Sequence, residues 1–270
     1  MKCFRVIATI FLALQVISAF TIVSESSQRI INGQNVYNGS YFGHTVSIER
    51  GMNGFWQHVC GGAIIANRAI LTAASCVANF NAIYRVRAGI LNLNEPLTLG
   101  QTINVQTYRI FETNPINQLH NIAVLILRTP LIIPSENVSL IRVPPANWGQ
   151  TALPNPSVAI LTGWGATNAT SPGLSERLQA ANITFTNTCT DFAPAQSNYI
   201  ICSAAPAPGT NVPTGCMGDM GSPLVLGDQV IGILARYIRP CNSRTDMYAR
   251  VNTFRVFIET TLRDFNMNLN

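Results

Sequence analysis

The sequence predicts an all-β fold. Apolar and polar residues alternate in short runs, as in Thr45-Val46-Ser47-Ile48, Tyr84-Arg85-Val86-Arg87 and Ile103-Asn104-Val105. Successive strand residues face opposite sides of a sheet, so a period of two marks a strand with one buried face. From Tyr41 onward, turn residues separate these runs at intervals of about ten positions. No sustained helical period occurs before residue 250. Many short strands between turns argue a sandwich or a barrel.

The chain opens with something other than a strand. Lys2 and Arg5 precede the apolar run Val6 to Leu14, and the small residues Ser18 and Ala19 follow. This is the layout of a secretory signal peptide over residues 1–19, cut near Ala19. The run is short for a bilayer span, and no later segment is long enough for one. The mature protein is therefore expected to be secreted and soluble, with no membrane partner. A short tail without cysteine occupies residues 20–29, and Arg29-Ile30-Ile31-Asn32-Gly33 follows it.

The chain has 270 residues, enough for one large or two small domains. It is 47% hydrophobic and only 11% charged, in part because of the leader. Loss of residues 1–29 removes Lys2, Arg5, Arg29 and one acid, Glu25, which takes the net charge from +5 to +3. Every basic residue left is arginine. That balance is too weak for a nucleic-acid partner. Five arginines, Arg236, Arg239, Arg244, Arg250 and Arg255, fall close together in sequence. Guanidinium groups suit sulfate and phosphate, so a polyanion such as a glycosaminoglycan is an alternative partner.

Of seven cysteines, Cys3 leaves with the signal. An even set remains: Cys60, Cys76, Cys189, Cys202, Cys216 and Cys241. In an oxidising compartment this implies three bridges, whose pairing the count leaves open. No spacing suggests zinc, and no cofactor is expected. Sequons at Asn38, Asn137, Asn168 and Asn182 are candidate glycosylation sites.

The segments that carry chemistry then follow in order. His58-Val59-Cys60-Gly61-Gly62-Ala63-Ile64-Ile65 leads to Ile70-Leu71-Thr72-Ala73-Ala74-Ser75-Cys76. Leu119-His120-Asn121-Ile122-Ala123-Val124-Leu125 comes next, and prolines concentrate across residues 129–155, where a domain boundary is expected. Thr162-Gly163-Trp164-Gly165-Ala166-Thr167 precedes a strand from Leu178 to Ile183. Gly215-Cys216-Met217-Gly218-Asp219-Met220-Gly221-Ser222-Pro223 and then Gly232-Ile233-Leu234-Ala235-Arg236-Tyr237-Ile238-Arg239-Pro240-Cys241 follow. The last segment places Phe254, Phe257, Ile258 and Leu262 on one helical face, with Asn252 or Thr253 as N-cap.

In this order these segments resemble the chymotrypsin/trypsin-like serine proteases over about residues 30–265. The resemblance implies two six-stranded antiparallel barrels, one over about 30–140 and one over about 150–253, and a helix at 253–265. It implies the pairs Cys60–Cys76, Cys189–Cys202 and Cys216–Cys241. It makes residues 20–29 a propeptide. Cleavage after Arg29 would free the Ile30 ammonium to pair with buried Asp219, and His58 would stand by as the partner before cleavage.

The departures fall on the chemistry. Where the family carries its base histidine, aspartate and nucleophilic serine, this chain has Ser75, Asn121 and Met220. A serine hydroxyl takes up no proton near neutral pH. An amide in place of the aspartate alone costs a triad protease roughly ten-thousand-fold in turnover. A thioether has no proton to lose and forms no acyl-enzyme by hydroxyl attack. His120 does not rescue the base, because neighbouring strand residues point to opposite faces. Gly218 and Met220 hold the oxyanion-hole positions. Thr214 stands at the floor of the specificity pocket, Ala235, Arg236 and Tyr237 along one wall, and Asp246 on the other. Tyr237 is expected to project into the pocket or across its mouth. The resemblance thus implies a catalytically inactive homologue that binds a protein, such as an active protease, an inhibitor or a substrate. An atypical endopeptidase is the remaining alternative.

Overall fold

The structure is a computed structural model. It describes residues 30, 32–112, 118–149, 156–168, 173–186, 189, 198–204, 212–241 and 245–269. Arg29 and Arg244 lie outside the described residues.

Six antiparallel strands close the first barrel: β2 (Thr45–Met52), β3 (Phe55–Ala66), β4 (Ala69–Thr72), β5 (Ile83–Ala88), β6 (Gln101–Ile110) and β7 (Ala123–Leu127). Their order around it is β2-β3-β4-β7-β6-β5. The second barrel comprises β8 (Ser157–Gly163), β9 (Gln179–Thr186), β10 (Ile200–Ser203), β11 (Pro223–Leu226), β12 (Gln229–Arg236) and β13 (Met247–Arg250). Pairing of β8 with β9 closes it, and the short β1 (Gln34–Asn35) adds to β9. The predicted all-β class and both barrels are thus present.

Two segments cross between the barrels. Ile30 is wholly buried in the second core with Leu161, Ile183, Leu234 and Tyr248. Since β1 also pairs with β9, the N-terminal stretch belongs to barrel two, not barrel one as its place in sequence suggests. At the other end, Phe254, Ile258 and Leu262 are buried in the larger core cluster, which joins the interior of barrel one to Val230, Ile233 and Ala249 of barrel two, and Phe254 meets Phe111 just past β6. The helix α1 spans Arg255–Asp264, after a 3-10 turn at Val251–Phe254. Its expected N-cap is not used. Asn252 Nδ2 donates instead to Ala146 O and Trp148 O, and Thr253 Oγ1 donates to Asn198 O. These side chains pin the helix start to neighbouring loops, so tertiary bonds replace local capping.

The three disulfides form as the resemblance implies, with sequence separations of 16, 13 and 25. Loops of this size give roughly 3 kcal/mol each in the chain-entropy account. Asn38, Asn168 and Asn182 are exposed, while Asn137 is half-buried beneath Gly39.

Candidate functional site

β4 ends beside a 3-10 turn at Ala74–Val77, which presents Ser75 to solvent. The Cys60–Cys76 bridge ties this turn to β3. Asn121 enters just before β7, and Ala235 lies near the end of β12. Tertiary packing brings the three together. The Ser75 amide donates to Asn121 Oδ1 at 2.8 Å. Asn121 Nδ2 donates to Ala235 O at 2.8 Å and to Ser75 Oγ at 3.1 Å. An amide N–H only donates and a carbonyl only accepts, so these two neighbours fix which way the Asn121 carboxamide points.

Met220 completes the constellation. It is partly buried and packs on the first-barrel core. Its carbonyl accepts the Gly61 amide at 2.9 Å and lies 3.7 Å from Cys76 Sγ, next to Ser75. Gly218 and Gly221 flank it with φ of 96° and 80°, a conformation that favours glycine. Among the described residues, the Gly218 and Met220 amides have no hydrogen-bond partner, so the turn keeps two donors side by side.

Asp219 points the other way, into the protein. It is wholly buried, with Oδ1 accepting the Gly165 amide at 2.7 Å and Oδ2 the Cys216 amide at 3.0 Å. Burial raises its pKa to about 7, against the pull of those two amides. The Gly-Trp-Gly segment has its reason here. A β-carbon on Gly163 or Gly165 would lie 2.3 or 2.1 Å from the Asp219 carboxylate.

His58 does not pair with Asp219. Its Nε2 sits 3.0 Å from Gly218 O and its Nδ1 2.8 Å from Ser47 Oγ. Burial lowers its pKa to about 4, so it is a neutral, satisfied core histidine. His120 pairs with Glu112 through Nδ1 and packs edge-on against Tyr199 and Phe111. It therefore packs away from Ser75, but not through strand alternation: His120 ends a 3-10 turn over Gln118–His120, and Asn121 precedes β7.

The specificity-pocket positions fall in separate local clusters. Asp246 Oδ2 accepts the Gly215 amide at 2.7 Å, beside buried Thr214. Burial lifts the Asp246 pKa to about 8, with charge on Asp219 pushing the same way. The Thr214 and Tyr248 hydroxyls are buried without partners among the described residues. Tyr237 packs with Met217 on the Cys216–Cys241 disulfide. Arg239 Nη2 approaches Met217 Sδ at 2.9 Å. Ala235 is buried and Arg236 half-buried.

The trypsin family profile matches residues 30–258. The chain belongs to the trypsin family. It is 30% identical over 239 residues to the serine protease SP24D of Anopheles gambiae, covering 88% of this chain and 82% of the relative. It is 28% identical over 258 residues to chymotrypsin-like elastase family member 3B of Macaca mulatta, covering 88% and 95%. Among solved structures, human heparin binding protein superposes with a TM-score of 0.72 at 24% identity, covering 88% of this chain and 99% of that one. Within this trypsin-family frame, Ser75 and Asn121 of the first barrel are bonded together, the Met220 carbonyl of the second-barrel half lies against Gly61 and Cys76 beside them, and Asp219 turns into the protein.

Sequence reasoning did not find the bond from Asn121 to Ala235 O or the unpartnered Tyr248 hydroxyl. Both depend on groups more than a hundred residues apart or sealed by packing, and neither leaves a local signal. It also grouped five arginines that the fold separates. Arg250 is buried and donates to Ile200 O, and Arg255 pairs with Glu259 at 2.7 Å and donates to Val143 O and Pro144 O. Of the other described members, Arg236 is half-buried at the end of β12 and Arg239 is exposed beside Met217.

Proposed function

We propose that this chain is a secreted, catalytically inactive serine protease homologue that acts by binding a protein partner. One observation carries the reading. Ser75 and Asn121 are hydrogen-bonded to each other with the Met220 backbone beside the neighbouring Cys76, and these three residues include neither a base nor a nucleophile with a base beside it. The asparagine amide is hydrogen-bonded to Ala235 O and Ser75 Oγ, so it does not stand in for a carboxylate. Tyr237 and Met217 pack against the Cys216–Cys241 disulfide, in the region where the family resemblance places the specificity pocket, which accords with a pocket altered from the family type. Secretion accords with the leader and with three disulfides, which persist in oxidising compartments. No described helix is long and apolar enough to cross a membrane.

The test is labelling with a fluorophosphonate probe after cleavage at Arg29, beside an active trypsin control. No labelling is expected. Labelling at any residue of the cleft would establish the atypical-endopeptidase alternative and overturn the reading. The partner is then sought by affinity capture from the native secretion with the cleaved protein as bait. A partner that binds a Tyr237→Gly variant equally well would place its docking surface away from the cleft.

The similar solved structure is named for heparin binding, which is a property of that protein. It supports polyanion binding as a second reading because this chain has its own exposed arginine-bearing face.

A further inference from the structure

The outer face of β6 brings together arginines that are scattered in sequence. Ile103, Val105, Tyr108 and Ile110 of β6 turn inward onto the first-barrel core. A register shift between Val105 and Thr107 interrupts the alternation, so Asn104, Gln106 and Arg109 are the exposed residues. Arg68 reaches across from the start of β4. Its Nη2 donates to Gln106 Oε1 at 2.9 Å and its Nε to Leu127 O at 3.1 Å. Arg128 follows Leu127 directly, is exposed, and donates its amide to Asn104 O. At the far end Arg109 lies over the Phe265 ring, two residues from exposed Arg263.

Among the described residues, none of Arg68, Arg109 and Arg128 is in an ion pair with a carboxylate. On the neighbouring β5, Arg85 is held by Glu49, so that acid is already engaged. From Asn104 to Arg109 the strand covers roughly 17 Å. The result is a band of three arginines with amide side chains between them, in which Gln106 and Leu127 O hold Arg68 and the Phe265 ring lies under Arg109. Guanidinium forks match sulfate and phosphate oxygens. Tyr108 turns inward and Phe265 is covered by Arg109, while the exposed Phe80, stacked on Tyr108, and Phe111, just past the strand, border the band.

We propose that the outer face of β6 binds a linear sulfated polysaccharide through Arg68, Arg109 and Arg128. The site is separate from the cleft and does not rest on the loss of catalysis. It replaces the cluster around Arg236 as the place where this chain meets a polyanion.

The experiment measures affinity of the mature protein for heparin across a range of salt. Arg109→Gln with Arg128→Gln is compared with Arg236→Gln with Arg239→Gln, which removes the same charge. The first pair is expected to elute from heparin resin at clearly lower salt. Counterion release predicts that its log-affinity against log-salt slope falls by about one unit per arginine removed. The second pair is expected to behave as the parent does. Equal effects of the two pairs, or none from the first, would overturn the proposal. Arg109→Lys with Arg128→Lys keeps the charge and is expected to retain the slope, which separates binding from folding. A single-stranded oligonucleotide of matched charge is expected to compete weakly, and competition equal to heparin would overturn the polysaccharide assignment. Failure here leaves the probe-labelling result unaffected, so the two readings fall separately.

Discussion

The Asp219 carboxylate is seated directly on Gly165. Its Oδ1 accepts the Gly165 amide at 2.7 Å, and a β-carbon there would lie 2.1 Å from Oδ2. Two motifs far apart in sequence, the Gly-Trp-Gly segment and the Gly-Asp-Met-Gly segment, thus form one buried unit behind the cleft.

A first prediction follows from that seat. Gly165→Ala forces the Asp219 carboxylate or its turn to move, because the nearest atoms are all of that carboxylate, and the Gly165 and Cys216 amides hold it in place. Overpacking of this kind costs roughly 1–3 kcal/mol. Thermal unfolding is expected to shift down by several degrees. An unchanged melting temperature would mean that the turn yields freely.

The buried carboxyls set the stability above neutral pH. Asp219 and Asp246 have pKa values raised to about 7 and about 8, above the ordinary 3.8, by burial first. Each holds its proton more tightly in the folded state than in the unfolded one. Their contribution is therefore full below pH 3.8 and is lost as pH rises through 7 and 8. The loss is about 1.4 kcal/mol per pH unit for each group at most. His44 and His58 run the other way, since burial lowers both to about 4. Their contribution is full above 6.5 and is lost as pH falls through 4. Between 4 and 6.5 the two sets oppose each other, so the window from 6.5 to 8 isolates the carboxyls. The uncleaved protein is expected to melt lower at pH 8 than at pH 6.5, and Asp219→Asn is expected to flatten that slope. Cleavage after Arg29 should also flatten it, by supplying an ammonium to the Asp219 charge. A parent profile that rises with pH across this window would refute the account.

Acid stability offers a separate check. His44 is buried with Nε2 unpartnered among the described residues. His44→Leu removes one of the two protonations that acid forces on the core. Its acid-unfolding midpoint is expected to fall below that of the parent, and a midpoint that rises would count against the assignment.

Asn121 is fitted to its neighbours as an amide. Asn121→Asp sets a second acceptor against Ala235 O, where the amide now donates at 2.8 Å. The cost is expected to be about 1 kcal/mol, the net worth of a part-buried hydrogen bond. Chemical denaturation measures it. If the aspartate variant is as stable as the parent, the amide is only a remnant of the missing charge.

A guanidinium organises the loop after β5. Arg87 is buried and donates to Leu93 O at 2.7 Å and Glu95 O at 2.6 Å, with Glu49 beside it. Arg87→Met leaves these carbonyls without their donor and is expected to cost roughly 3 kcal/mol or more. Hydrogen exchange should speed up at the Leu91 and Asn92 amides, which Glu95 now holds. Unaltered exchange there would show that the loop does not depend on Arg87.

Much of the fold could be read before the structure. Alternation marked β2, β5 and β6, and the disulfide pairs followed from the family resemblance. The positions of Ser75, Asn121 and Met220 were legible as well, because the residues around them keep the family's local pattern. Misreadings arose where a side chain served a distant segment. Asn252 and Thr253 looked like helix caps by local rule, but Ala146, Trp148 and Asn198 claim their hydrogen bonds. The segment from Ile30 to Asn35 reads as the start of barrel one, yet its apolar side chain and strand pairing belong to barrel two.

The division has a physical cause. Strand alternation, the cysteine set and the identity of the residues at the cleft are local or chemical properties, and sequence alone determined them. Which group each of those residues bonds, how far burial moves a carboxyl, and which arginines share a face depend on segments a hundred or more residues apart. Only the closing of the two barrels sets those distances. It places Asp219 on Gly165, Asn121 on Ala235, and Arg68 beside Gln106 and Arg128, and no local pattern encodes any of the three.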